Sequence, residues 1–147
     1  ASRTPGRTRL LNWFEITPPK GRDIHFVDLP GYGYASVGSE MRAGWRPLIE
    51  SYLTGRAGLA AVVLLVDIRR GVEEEEADFV PWLSAEQIPT IVVVTKIDKL
   101  PKNQRLPRLT EIKRDLGQKE LPIGFSVQTG DGQDELWRAI MRRVTPA

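Results

Sequence analysis

The chain has 147 residues, no cysteine, one histidine and a formal net charge of +2. These values suit a single domain spanning residues 1–147 and exclude disulfides and thiolate metal sites. No apolar run approaches the roughly 20 residues that cross a bilayer, and no apolar stretch follows the polar opening ASRTPGRTR, so a soluble, cytoplasmic protein without a membrane partner is expected; a monomer is a separate expectation. The mild positive charge permits an RNA partner without demanding one.

Strand and helix patterns alternate along the chain. Leu10 to Ile16 is rich in β-formers and stops before Pro18-Pro19, which cannot continue a ladder. Asp23 to Leu29 is the next predicted strand. After Ser39, a suitable N-cap, Met41, Trp45, Leu48, Ile49, Tyr52 and Leu53 recur at helical spacing, and Gly55 fits the stop. Gly58 to Ile68 and Thr90 to Ile97 are nearly continuous apolar runs, as in parallel strands covered on both faces. Between them the acidic run Glu73 to Glu76 opens a helix where negative charge suits the dipole, and it reads as a capped, solvated turn. A third helix carries Leu106, Leu109, Ile112 and Leu116, closed by Gly117. A short strand, Ile123 to Val127, and a helix with Leu136, Trp137, Ile140, Met141 and Val144 complete the pattern. Pro47 and Pro81 fall inside helical patterns, where each should kink the helix or move its start. The alternation predicts a three-layer α/β domain, whose ligands bind at the carboxyl ends of the strands.

Four of those strand ends carry polar groups. Asp28, followed by Leu-Pro-Gly, can hold a water on Mg²⁺, and Gly31 lets its backbone N–H approach a phosphate oxygen. The same residues also suit a plain Asp–Pro–Gly turn. Thr95-Lys96-Ile97-Asp98 follows a buried strand. Asp98 can accept hydrogen bonds from the ring N–H and the exocyclic amine of guanine, donors that adenine lacks at those places. The stem of Lys96 can lie over the base and Thr95 can brace the loop, although a solvated turn is the alternative. Ser126 and the backbone of Val127, in FSVQTGDG, can present N–H groups to a base carbonyl, or form an ordinary turn. Asp67 reads as structural, capping the strand or pairing with Arg69 or Arg70. His25 reads as a strand residue.

DxxG, then TKxD, then SxxxG, each after a strand, is the order found in Ras-like GTPases. The segments TPGRT, LLNWFE, FVDLPGYGYA, WRPLIESYL, VVLLVDIRRG, WLSAEQIP, VVVTKIDKL and DELWRAI resemble the EngB (YihA/YsxC) family of bacterial GTPases. The resemblance implies a Ras-like P-loop GTPase fold with a mostly parallel sheet. It also implies GTP and GDP binding with Mg²⁺, a role in assembly of the large ribosomal subunit through that subunit or its RNA, and a link to cell division and septation. Position by position, Thr8 matches the switch I threonine that contacts Mg²⁺ and the γ-phosphate, with Thr4 the poorer match. Asp28 and Gly31 match switch II. Thr95, Lys96 and Asp98 match the base-reading motif, and Ser126 and Val127 the last one, where the family usually has a smaller residue than Val127.

The phosphate-cradling motif G-x-x-x-x-G-K-[ST] does not occur in the 147 residues. In the family it precedes the stretch where this sequence begins, together with the first strand and first helix. The chain is therefore expected to be an N-terminally incomplete version of the working protein. Potassium is a further cofactor expected through the resemblance, with its ligands in that preceding segment. Tyr32 stands where Ras-type proteins place a water-orienting Gln. It has no amide, so slow hydrolysis stimulated by a partner is expected. Arg3, Arg7, Arg9, Lys20 and Arg22, or Lys102, Arg105, Arg108, Lys113 and Arg114, could meet RNA phosphates or be ordinary solvated charge. Two rival readings remain: a nucleotide-free α/β module that binds RNA or protein through basic faces, and an enzyme using another nucleotide, which would have no use for Asp98.

Overall fold

The computed structural model describes residues 12–17, 23–29 and 39–144. The chain divides into two compact units, Ala1–Leu59 and Ala60–Ala147.

In the first unit, β1 (Asn12–Ile16) and β2 (Ile24–Asp28) pair antiparallel, in a register that sets Asn12 opposite Asp28 and Ile16 opposite Ile24. His25 lies across from Glu15, with Nε2 3.8 Å from a carboxylate oxygen, and both are exposed: it is a strand residue. Helix α1 (Ser39–Leu53) keeps Pro47 in its interior and buries Ile49 and Leu53. Gly55 follows at φ +66°, a conformation that glycine adopts at no steric cost, and the helix stops there as the sequence predicts.

In the second unit, β3 (Val62–Asp67), β4 (Thr90–Thr95) and β5 (Ile123–Gly124) form a parallel sheet in the order β3-β4-β5. Successive strand residues face opposite sides, so the burial of all of Ile91 to Val94 means that both faces of β4 are covered. Helices α2 (Glu74–Ala85) and α4 (Gln133–Val144) both touch it. Each fully buried Val, Ile or Leu contributes about 1.5–3 kcal/mol by leaving water, so this strand is the centre of the unit's stability. β3 differs from the expectation. Val62, Leu64 and Val66 are buried, while Val63 and Leu65 are exposed, Leu65 by 56%. An apolar run does not by itself show that both faces are covered.

The edges of the predicted strands move for identifiable reasons. β3 starts at Val62 because Gly58 takes φ +84° and Leu59 N–H donates to Arg56 O, forming a turn. β4 stops at Thr95 because Lys96 is left-handed and Ile97–Lys99 forms a 3-10 turn. β5 stops at Gly124 because the backbone of Ser126 is drawn into the following loop, its N–H donated to Asp131 O at 3.0 Å.

Helix α2 corrects the reading of its acidic start. Glu73 and Glu76 form a reciprocal capping box, but Glu76 is fully buried and accepts a hydrogen bond from the guanidinium of Arg70. The run is half structural, not simply a solvated turn. Pro81 stays inside the helix, next to the stacked rings of Phe79 and Trp82, 5.9 Å apart. Helix α3 (Lys102–Asp115) buries Ile112, with Leu116 buried just beyond it, but leaves Leu106 59% exposed, so the predicted apolar stripe is shorter than the spacing suggests. It ends at Gly117, φ +66°, with Gln118 N–H donating to Lys113 O at 3.0 Å.

Candidate functional site

The described part of the site lies at the carboxyl ends of β3, β4 and β5. There the ladder continues past the strands: Ile68 N–H donates to Thr95 O at 3.0 Å, and Phe125 N–H donates to Val94 O at 2.8 Å. Thr95 Oγ1 reaches Val66 O at 3.5 Å, a long contact from β4 to β3.

Lys96 then takes φ 61°, ψ 35°. A non-glycine residue in this left-handed region is strained, and such strain clusters where backbone direction matters for function. Here it turns the chain into the short 3-10 segment, which Ile97 anchors: its side chain is buried and its N–H donates to Phe125 O at 3.3 Å. The turn brings Asp98 against the loop that follows β5.

Ser126 is fully buried in that loop, and its Oγ donates to Asp98 Oδ1 at 2.7 Å. The same oxygen accepts Thr129 N–H at 3.2 Å, and Ser126 O accepts Gly130 N–H at 2.9 Å. The serine thus acts on the carboxylate through its hydroxyl, a part that the sequence reading did not give it. Val127 stands on the outside of the loop, 84% exposed. The hydrogen bond from Ser126, aided by the charges of Lys99 and Arg105, holds the Asp98 carboxyl below its ordinary range. An ionised carboxylate only accepts hydrogen bonds. With one oxygen fixed by Ser126, the arrangement suits a ligand that presents N–H donors.

Asp67 pairs with Arg69, as one of the sequence alternatives has it. Its Oδ1 accepts Arg69 N–H at 2.8 Å and Nε–H at 3.3 Å, and its Oδ2 accepts the terminal guanidinium nitrogen at 3.1 Å. Arg70 turns instead to Glu76 and Glu73. The Arg69 hydrogen bonds, with the charge of Lys96 adding to them, lower the Asp67 pKa to about 2. Lys96 Nζ lies 3.5 Å from Asp67 Oδ2, a contact the sequence reading missed.

Two of the arginines read as candidate RNA contacts are occupied internally. Arg108 Nε donates to Ile68 O at 2.8 Å, one of its terminal nitrogens to Arg69 O at 3.1 Å, and the other pairs with Glu111. Arg105 Nε donates to Leu100 O at 3.0 Å. Both side chains are mostly buried, so they pin loops around the site and are poor phosphate contacts.

Asp28 is exposed at the end of β2. Thr4, Thr8, Gly31 and Tyr32 lie outside the described residues, as do Arg3, Arg7, Arg9, Lys20 and Arg22. Among the described residues no group of three or more His, Asp or Glu side chains is gathered as for a metal ion, and no helix is long and apolar enough to cross a membrane.

Comparison with known proteins adds to this geometry. Residues 1–96 match the family described as 50S ribosome-binding GTPase. The chain is 43% identical over 144 residues to the Probable GTP-binding protein EngB of Desulfatibacillum aliphaticivorans, covering 95% of this chain and 67% of that protein. It is 42% identical over 146 residues to the protein of the same name from Desulforapulum autotrophicum, covering 99% and 73%. The chain spans about two thirds of the length of the relatives it matches. A crystal structure of a probable GTP-binding protein engB superposes with a TM-score of 0.75 at 23% identity, over 97% of this chain and 83% of that one, which gives the fold as Ras-like. By sequence and by fold alike, the chain belongs to the EngB family of GTP-binding proteins.

Proposed function

We propose that the chain carries the guanine-reading half of a GTP/GDP site. The observation that carries this reading is the pairing of Asp98 with buried Ser126 at the ends of β4 and β5. Asp98 accepts the ring N–H and the exocyclic amine of guanine. The N–H of Val127 serves the base carbonyl, Lys96 covers the ring, and Thr95 and Ser126 brace the two loops. Adenine offers neither donor and leaves the carboxylate unmatched, which is the source of discrimination.

In the full-length protein the same reading assigns Thr8 and Asp28 to Mg²⁺, and Gly31 to the γ-phosphate. Bound Mg²⁺ neutralises charge developing on the phosphates during hydrolysis. Tyr32 supplies no amide to orient water, so hydrolysis to GDP is slow and depends on a partner. The proposed partner is the large ribosomal subunit or its RNA. Its assembly, with a consequence for cell division and septation, is the proposed role in the cytoplasm, and potassium is a proposed additional cofactor.

The test is a calorimetric titration of the full-length protein with GDP and with ADP in Mg²⁺. GDP binding without an ADP response is the expected result. Equal affinity for the two, or binding that survives loss of the Asp98 carboxylate unchanged, overturns the assignment.

A further inference from the structure

Lys96 has two features that base recognition alone does not explain. Its backbone is held in a strained left-handed turn, and its side chain, 57% exposed, reaches to a carboxylate on a different strand. A long, solvated lysine ordinarily samples many rotamers, and a flexible stem is a poor wall for a flat ring. Something must select one direction for it.

Asp67 is placed to do this. It is the last residue of β3 and the register partner of Thr95, the residue before Lys96. Its own position is fixed from both sides. Arg69 returns to it through backbone and side chain, and Arg108 holds the carbonyls of Ile68 and Arg69 from α3. Its side chain is only 24% exposed, so the charge it presents to Lys96 is less screened than a surface carboxylate. Arg69 and Lys96 both meet Asp67 Oδ2, at 3.1 and 3.5 Å, so the three charged groups form one cluster at the strand ends.

We propose that Asp67 is a positioning residue for Lys96: its carboxylate draws the ammonium from the end of β4 to the end of β3 and so lays the stem across the base site. The inference rests on the reading of Lys96 and Asp98 as the base-recognition pair. Asp67 itself does not touch the nucleotide. It acts on how long a bound purine stays, through the order it imposes on the lysine stem.

The experiment is a double-mutant cycle on the full-length protein, read as the dissociation rate of a fluorescent GDP. Asp67→Asn keeps an oxygen for Arg69 N–H and removes the charge. It is expected to speed release by about two- to fivefold, the range for a partly screened ion pair. In a Lys96→Ala background the same change is expected to have no effect. An equal acceleration in both backgrounds means that Asp67 only supports the loop, and overturns the proposal. Asp98→Asn is measured alongside with xanthosine diphosphate. If that variant does not trade guanine for xanthine, the base-site reading itself fails and the proposal falls with it. If it does, and the cycle shows no coupling, only the positioning role is lost. Thermal midpoints of all variants separate a change in release from a change in folding.

Discussion

Ser126 Oγ and Asp98 Oδ1 meet at 2.7 Å across 28 residues of sequence, with the serine fully buried. One hydroxyl thereby closes the loop after β5 onto the turn after β4, while the other carboxylate oxygen stands 4.0 Å from Lys99 Nζ.

Removing that hydroxyl should loosen both. Ser126→Ala leaves Thr129 N–H without its acceptor and lets Asp98 rotate. A hydrogen bond to a charged group is worth about 1.5–3 kcal/mol, so GDP affinity is expected to fall by about tenfold or more. Unchanged affinity by calorimetry would show that the serine is dispensable for orienting the carboxylate.

Asp98→Asn exchanges an acceptor for a donor. Guanine then meets an amide where its exocyclic amine needs an oxygen, whereas xanthine carries a carbonyl at that place. GDP affinity is expected to drop on the order of a hundredfold, with xanthosine diphosphate becoming the preferred ligand. Competition between the two diphosphates reads this directly.

The Arg70–Glu76 pair should respond asymmetrically. Glu76 is fully buried while Arg70 is 30% exposed. Arg70→Met strands a carboxylate without solvent, at about 3–5 kcal/mol. Glu76→Gln removes the buried charge but keeps one acceptor oxygen, which serves Arg70 or Glu73 N–H and not both, and should cost about 1–3 kcal/mol. Urea unfolding of the two variants tests the order, which reverses if water reaches Glu76.

Gly71 and Arg108 should be coupled. Gly71 has φ +73°, and a Cβ there would meet the Arg108 guanidinium. Gly71→Ala is expected to destabilise the chain by about 2 kcal/mol, from left-handed strain and from displacing a hydrogen-bonded arginine. With Arg108→Ala already in place only the strain remains, so the second loss should be smaller. Additive losses in unfolding free energy would mean that the two residues do not compete for the space.

Acid should act through Asp67. Its folded pKa, about 2, lies below the ordinary carboxyl value of 3.8. Ionised Asp67 therefore contributes its stability in full above pH of about 4, and the contribution is lost as pH falls towards about 2. Against the wild type, Asp67→Asn should be less stable at pH 5, and the gap should close as pH falls through about 2. Parallel urea midpoints over that range would remove Asp67 from the acid response.

Apolar runs and turn residues made most of the elements legible in the sequence: β4, with Ile91 to Val94 buried, and the stops at Gly55 and Gly117 follow from local chemistry. The cluster of Lys96, Asp98 and Ser126 was legible as a candidate site because its residues come in short, ordered motifs. What sequence did not reveal are contacts that span the chain. The grip of Arg108 on Ile68 O and Arg69 O joins residues 40 and 39 positions apart, and an arginine on a helix gives no sign of whether it points inward. The burial of Glu76 was hidden by its three acidic neighbours, since charge pattern says nothing about which member of a run turns to the core. The exposure of Leu65 was hidden because a run of valines and leucines carries no period to mark a face.

The contact between Gly132 and Gly124 has a mechanical consequence. A Cβ on Gly132 would fall onto the Gly124 carbonyl, so the two backbones touch with no side chain between them. Gly132 O also accepts the Leu136 N–H, which makes it the first link of α4. The loop that carries Ser126 is therefore pinched at its root against the helix. No soft side chain is available there to absorb displacement. A side chain at Gly132 would therefore have to shift the start of α4 or the Gly124 backbone, and with it the loop that carries Ser126.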